Sequence, residues 1–162
     1  MAITFNIDEI FEMAEQIERN GAKFYREAAG KASDKAIQKM FVDLAAMEDG
    51  HLRIFQEMRK HLDAGEKEPM TFDPDNEASL YLQSMADSHG TEGRNDLTTK
   101  LTGRETTREI FEIAINAERN SIVFYTVLKG LVSAAGKDKV EAIITEEVGH
   151  LAVLKLQLVK LP

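Results

Sequence analysis

Apolar residues recur every three or four positions along four stretches of the chain, which is the spacing of one face of an α-helix. Gly30 is the predicted stop of the first helix, and Ser33 or Asp34 is the predicted N-cap of the second, which Gly65 follows. A short segment containing Gly136 is predicted to separate the last two helices. The four predicted helices span about residues 8–29, 34–64, 106–129 and 137–159.

The periodicity lapses between about residues 65 and 103, where Pro69, Pro74 and the polar run SHGTEGRND interrupt it. Only one short helix, at about 76–86, is predicted there. A connection this long needs a structural reason, and a crossover that travels the length of a helical bundle provides one. We therefore predict an all-α, ferritin-like arrangement, a four-helix bundle of two hairpins joined by a long crossover. It would form a single domain over residues 1–162, with hairpins at about 8–64 and 104–160.

The first and third predicted helices repeat one another at an offset of 100 residues. EIFEMAEQIERNGAKFY at 9–25 returns as EIFEIAINAERNSIVFY at 109–125. The second and fourth helices share a shorter match, EDGHL at 48–52 and EVGHL at 147–151. A duplicated hairpin predicts a bundle with a pseudo-twofold axis on which equivalent positions converge.

Two glutamates lie at equivalent positions on the apolar faces of the first and third predicted helices, Glu18 and Glu118. Because burial of a lone carboxylate is costly, each must be neutralised, paired or bound to a cation. The second and fourth helices each carry a glutamate and a histidine three residues apart, and such residues point the same way from a helix. The six candidate ligands are Glu18, Glu48, His51, Glu118, Glu147 and His150.

The charges of these groups favour two metal ions over one. Four carboxylates carry about four negative charges, which two divalent cations neutralise while both imidazoles stay neutral. One glutamate from each of two helices and Glu-x-x-His from each of the other two is the ligand set of di-iron and di-manganese carboxylate bundles. The ligand types alone leave iron, manganese and zinc open. A buried salt-bridge network or a decayed site is the alternative to a metal centre.

Tyr25 and Tyr125 each follow one of these glutamates by seven residues, two turns along the same helix face. A phenol at this position can donate a hydrogen bond to a ligand carboxylate. The alternative is a core tyrosine whose hydroxyl reaches another acceptor. The remaining histidines, His61 near a predicted helix end and His89 in the predicted crossover, have no partner in the repeat and are expected to be solvated.

Composition narrows the chemistry further. The 162 residues are 43% hydrophobic, enough to bury a core, and include no cysteine, which excludes thiolate metal sites, iron-sulfur clusters and a thiol nucleophile. The net charge of -8 disfavours nucleic acid and anionic membranes as partners. The chain begins without the basic and apolar regions of a signal peptide, so we expect a soluble, cytoplasmic protein.

With these motifs in place, the chain resembles the ferritin-like superfamily and, within it, the rubrerythrin di-iron domain. The resemblance covers all four predicted helices and rests on Glu followed seven residues later by Tyr and on Glu-x-x-His. It implies two iron ions held by the six candidate ligands, with Glu48 and Glu147 as bridges. Rubrerythrins commonly carry a further ligand glutamate where this chain has Ser121, and a four-cysteine rubredoxin module for which this chain has no cysteine.

The resemblance implies a non-haem di-iron oxidoreductase that reduces peroxide or oxygen, as in oxidative stress, with electrons from a separate donor such as a rubredoxin-like protein. A second hypothesis is an iron-handling protein or ferroxidase, which binds and oxidises iron to hold it or pass it on. A third is a non-catalytic interaction bundle with a vestigial or zinc-filled site. We expect a homodimer, because long helices offer flat faces and twofold pairs are the commonest oligomers.

Overall fold

The computed structural model describes residues 6–62, Leu80 and residues 101–161, apart from the side chain of Ala135. Within these residues the chain is helical and contains no β-strand, which confirms the predicted all-α four-helix bundle. The long helices are α1 (Ile7–Lys31), α2 (Lys35–Lys60), α3 (Thr107–Leu131) and α4 (Ala134–Lys160).

Three of the four helices begin at a side chain that caps them. Asn6 and Thr106, the N-caps of α1 and α3, each accept a hydrogen bond from the backbone of a glutamate three residues later, whose side chain bonds back. This reciprocal capping box satisfies backbone N–H groups that have no partner within the helix. Asp34, one of the two predicted caps, accepts from two backbone N–H groups at the start of α2. Ser133, the N-cap of α4, makes no such side-chain bond.

Two glycines were wrongly predicted to interrupt the helices. Gly30 lies inside α1, which ends at Lys31. Among the described glycines only Gly103 has a positive φ, so Gly30 does not adopt the left-handed conformation of a glycine cap. Gly136 lies in the first turn of α4, where its N–H donates to Ser133 O at 2.9 Å. The segment between α3 and α4 is therefore shorter than predicted.

The end of α2 was also predicted too late. The helix ends at Lys60, and His61, the C-cap, donates its backbone N–H to Met58 O over 3.1 Å in a tightened last turn. The side chain of His61 is 73% exposed, as expected for a solvated histidine. The rest of the predicted second helix, to about residue 64, lies outside the described residues.

The apolar core has two parts, one on each side of a polar middle layer. The part that we call the Phe55 core includes Phe11, Phe55, Tyr125, Leu128 and Ile143. The part that we call the Phe41 core includes Tyr25, Phe41, Phe111, Ile115 and Leu154. Burial of each large apolar side chain stabilises the fold by about 1.5–3 kcal/mol. Both parts hold the four helices together, and they enclose the layer between them.

The order in which each helix crosses the two cores gives its direction. α1 and α4 run from the Phe55 core to the Phe41 core, whereas α2 and α3 run the opposite way. The end of α2 and the start of α3 therefore lie at opposite ends of the bundle, about 39 Å apart for a helix of this length. Leu101 already packs in the Phe41 core, beside the start of α3. Most of the predicted crossover lies outside the described residues, and so does His89. Of the predicted short helix only Leu80 is described, and it is helical.

An ion-pair cluster ties α1 to α2 at the outer surface. The guanidinium of Arg59 donates two hydrogen bonds to Asp8, at 2.8 and 2.9 Å, and approaches Glu15 at 3.4 Å. Glu15 is buried and also accepts from Arg19.

None of the helices in the described part of the chain is long and apolar enough to cross a membrane.

Candidate metal centre

Seven charged or polar side chains are buried among the described residues, and six of them are the candidate ligands. On each helix, the side chains of the polar layer lie between the residues that belong to the Phe55 core and those that belong to the Phe41 core. The outer glutamates, Glu18 and Glu118, come from α1 and α3. A glutamate and a histidine one turn apart come from each of α2 and α4, Glu48 with His51 and Glu147 with His150. The structure thus brings all six side chains together.

The six side chains form two groups of four that share two members. One group contains Glu18 and His51, the other contains Glu118 and His150, and the shared glutamates, Glu48 and Glu147, belong to both. Within each group the ligand atoms lie within 4.8 Å of one another. The two imidazole rings lie nearly parallel, with centroids 5.8 Å apart. Each group could hold a metal ion, with Glu48 and Glu147 available to both, and the role of the six residues as ligands stays a prediction.

The two tyrosines each bond to the outer glutamate of the other hairpin. Tyr25 donates its hydroxyl hydrogen to Glu118 Oε1, and Tyr125 donates to Glu18 Oε1. Burial and the nearby carboxylate raise the pKa of both phenols well above the usual value, so both hydroxyls stay protonated and act as donors. Each phenol thus holds one oxygen of an outer carboxylate. The other oxygen of Glu18, Oε2, lies 3.6 Å from His51 Nδ1.

The outer glutamates are protonated more readily than ordinary carboxyl groups. Burial raises the pKa of Glu18 well above its usual value, and the adjacent imidazole of His51 offsets this only in part. Burial has the same effect on Glu118, with His150 as the partial offset. Without a cation, these two carboxyl groups therefore favour the neutral form.

The shared glutamates and the histidines have the opposite tendency and favour their charged forms. Burial raises the pKa of Glu48 and Glu147, but the two adjacent imidazoles outweigh it and hold each pKa below its usual value. Burial lowers the pKa of the histidines, but the carboxylates outweigh it. They raise the pKa of His150 to about 12 and that of His51 well above its usual value. In the metal-free protein, protons thus neutralise a cluster that two cations could neutralise instead.

Unsatisfied polar atoms in the cluster support a metal site. Glu18 Oε2 and His51 Nδ1 are buried and lie 3.6 Å apart, and neither atom makes a hydrogen bond of good geometry with another described residue. Such orphaned atoms are rare in folded proteins because each costs about 1–3 kcal/mol. Oxygen and imidazole nitrogen are both ligands for divalent iron, manganese and zinc. The donor set therefore fits metal ions of this kind.

Sequence reasoning missed Glu146, the residue directly before the candidate ligand Glu147 on α4. Its Oε2 lies 3.1 Å from His51 Nε2, so the imidazole has a carboxylate at both of its nitrogens. Nothing in the helical spacing of either helix marks this contact, because it joins an exposed residue of α4 to a buried residue of α2. Only the packing of the two helices creates it.

A small cavity next to the centre was missed as well. Its volume is about 20 Å³, which is room for about one water-sized molecule, and it reaches Glu48 and Glu118. Gly21 and Ser121, which occupy equivalent positions in the repeat, both line it. A Cβ atom at Gly21 would stand 3.4 Å from Glu48 Cγ, in van der Waals contact with that side chain. The two small residues were visible in the sequence, but their common cavity was not.

The comparisons with known proteins agree with this architecture. A model of the rubrerythrin family matches residues 9–158, a range that includes all six candidate ligands. The crystal structure of a protein described as a ferritin-like diiron-carboxylate protein, from Thermotoga maritima, matches with a TM-score of 0.71 and 24% sequence identity. The match covers 96% of this chain and 95% of that chain. At this identity the similarity shows the fold alone. No curated protein matches the chain significantly.

The four-helix bundle and its buried layer of carboxylates and imidazoles define a ferritin-like fold with a candidate carboxylate metal centre. Because the family model covers most of the chain, the chain belongs to the rubrerythrin family. The predicted family is thereby confirmed.

Proposed function

We propose that the chain is a di-iron oxidoreductase that reduces peroxide or oxygen with electrons from an external donor. The observation that carries this proposal is the pair of overlapping ligand groups, which share Glu48 and Glu147. Bound iron would supply the electrons and the positive charge that the reduction of peroxide requires. The balanced reaction consumes one hydrogen peroxide, two electrons and two protons, and yields two molecules of water.

The residues of the chain position and enclose the reacting centre. The tyrosines hold the outer carboxylates, and the Phe55 and Phe41 cores exclude water from both sides of the polar layer. Exclusion of water strengthens the electrostatic interactions inside the layer. The cavity beside Gly21 and Ser121 supports the proposal, because it opens a space of water-molecule size directly beside Glu48 and Glu118.

The experiment begins with the metal-free full chain and ferrous iron under anaerobic conditions. After desalting, we expect about two irons per chain in the parent and none in Glu147→Ala, which removes a ligand from both groups. Glu112→Ala, an exposed substitution on α3, is the matched control and should retain the parent's iron. No retained iron in the parent would refute the metal centre.

Peroxide is then mixed with the loaded protein in a stopped-flow instrument. We expect oxidation much faster than that of free ferrous iron, with about two irons oxidised per peroxide because each supplies one electron. Oxidation at the rate of free iron would leave metal binding intact but refute the peroxide reaction.

A second candidate function is iron handling with ferroxidase activity. Ser121 stands where rubrerythrins commonly have an additional ligand glutamate, and its hydroxyl donates to Ala117 O at 3.2 Å. Because the additional glutamate is replaced by Ser121, the chain departs from the rubrerythrins that carry out the usual peroxidase cycle. This difference favours iron handling. Oxidised iron that leaves the protein, or far more than two irons per chain in a large assembly, would distinguish iron handling from peroxide reduction.

The electron donor, the assembly and the location belong to the same proposal. The 162 residues contain no cysteine that could hold a rubredoxin-type iron, so we propose a donor outside these residues, such as a rubredoxin-like protein. We further propose a cytoplasmic homodimer that acts in oxidative stress. Size-exclusion chromatography with light scattering would test the dimer.

A further inference from the structure

The imidazole of His51 lies between two consecutive glutamates of α4. Its Nδ1 faces Glu147 Oε1 at 3.0 Å, inside the ligand cluster, and its Nε2 lies 3.1 Å from Glu146 Oε2 at the edge of the bundle. The ring itself is buried, whereas the side chain of Glu146 is 50% exposed. With the N–H at Nε2 donated to Glu146, the lone pair at Nδ1 is left to face the centre.

The other histidine has no such support among the described residues. His150 also faces the cluster with Nδ1, which lies 3.0 Å from Glu147 Oε2, but its Nε2 is buried without a hydrogen-bond partner. The repeat places Met47 at the position equivalent to Glu146, and a thioether cannot replace a carboxylate as an acceptor. The two halves of the site therefore match in their ligands and differ in what holds their histidines.

We propose that Glu146 is a positioning residue that fixes the ring of His51 and makes the two metal positions unequal. The position with Glu18 and His51 binds metal more tightly than the position with Glu118 and His150. A carboxylate that accepts from a ligand imidazole fixes its tautomer and orientation and increases its basicity, and loss of such a partner typically costs about 10–100-fold in metal affinity. The inference rests on the proposed metal centre and adds the order in which its two positions fill, with the position at Glu18 and His51 first.

The test is a titration of the metal-free full chain with Co(II) at fixed pH, without oxidant, in competition with a chromogenic chelator. The parent should show two steps whose dissociation constants differ by about 10-fold or more. Glu146→Met, which copies the residue at the equivalent position, should weaken the tighter step by about 10-fold and leave the weaker step within about twofold. Glu146→Gln keeps an acceptor oxygen and should retain most of the metal affinity of the tighter step.

Two further variants identify the tighter position. Glu118→Ala should keep the tighter step and lose the weaker one, whereas Glu18→Ala should do the reverse. Glu141→Met is the matched control, because it makes the same substitution on α4 at an exposed glutamate that pairs with Lys129. It should leave both steps within about twofold of the parent.

The outcomes separate the inference from the proposed function. Two equal steps in the parent, or an equal weakening of both steps by Glu146→Met, would overturn the inference and leave the metal centre standing. An effect of Glu141→Met as large as that of Glu146→Met would also overturn it, because charge alone would then explain the loss. Failure of the parent to bind either Co(II) or Fe(II) would overturn the proposed metal centre, and the inference with it.

Discussion

The six candidate ligands are not equivalent, because Glu48 and Glu147 belong to both ligand groups and the other four belong to one each. We expect Glu48→Ala to lower the iron retained after desalting from about two per chain to none, since both positions lose a ligand. Glu18→Ala should leave about one iron, held by the group around Glu118. Metal analysis of the desalted proteins measures both values, and equal losses in the two variants would contradict the shared role of Glu48.

The phenol of Tyr25 provides a second test of an individual side chain. Tyr25→Phe keeps the ring, which stacks on Phe41 at a centroid distance of 6.0 Å, and removes the bond to Glu118. A buried carboxyl group without its donor should cost about 1–3 kcal/mol in the free energy of unfolding of the metal-free protein, measured in urea. Tyr125→Phe should cost a similar amount, because it removes the equivalent bond to Glu18.

Ser121→Ala is the control for the tyrosine variants. Among the described residues, the hydroxyl that it removes donates to Ala117 O within its own helix, so the free energy of unfolding should change by less than about 0.5 kcal/mol. A loss as large as that of Tyr25→Phe would mean that any polar deletion near the layer destabilises the bundle.

The starts of the helices differ in a way that stability measurements can detect. Thr106→Ala removes the side-chain acceptor of the capping box with Glu109, and we expect it to lower the free energy of unfolding by about 1 kcal/mol. Ser133→Ala is the matched control, because Ser133 occupies the same N-cap position on α4 without a side-chain capping bond. Its effect should be well below that of Thr106→Ala, and equal effects would contradict the difference between the two caps.

The helices and the residues of the polar layer could be predicted from sequence because the patterns that reveal them lie within single helices. Helical periodicity located all four helices, and Glu-x-x-His spacing placed each glutamate and histidine on one face. The repeat then indicated that equivalent positions meet. Gly30 and Gly136 misled the prediction because glycine ends a helix only where the backbone turns left-handed, and neither residue does so.

Contacts between helices could not be predicted in the same way. The bond between His51 and Glu146, and the pairing of each tyrosine with the opposite hairpin, join residues 93 to 107 positions apart. Spacing along one helix carries no information on which side chain of another helix it will meet. These contacts depend on the rotation of each helix about its axis, which packing of the two cores determines.

The charge balance of the whole cluster predicts a strong dependence of metal binding on pH. The raised pKa values of His51, His150 and the outer glutamates keep protons on groups that must lose them to bind metal. Two divalent ions should therefore displace about four protons, and the apparent metal affinity should rise as pH rises and fall in acid. Calorimetry in buffers of different ionisation enthalpy would count the protons, and release of fewer than about one would contradict this charge distribution.

The crossed bonds from Tyr25 to Glu118 and from Tyr125 to Glu18 also bear on ancestry. Each half of the chain carries one tyrosine, but each tyrosine serves a carboxylate of the other half. One half alone could not complete this exchange, whereas two identical copies could. The molecule therefore has the internal organisation expected if an ancestral gene encoded a single helix pair that worked as a self-complementary dimer before two copies fused.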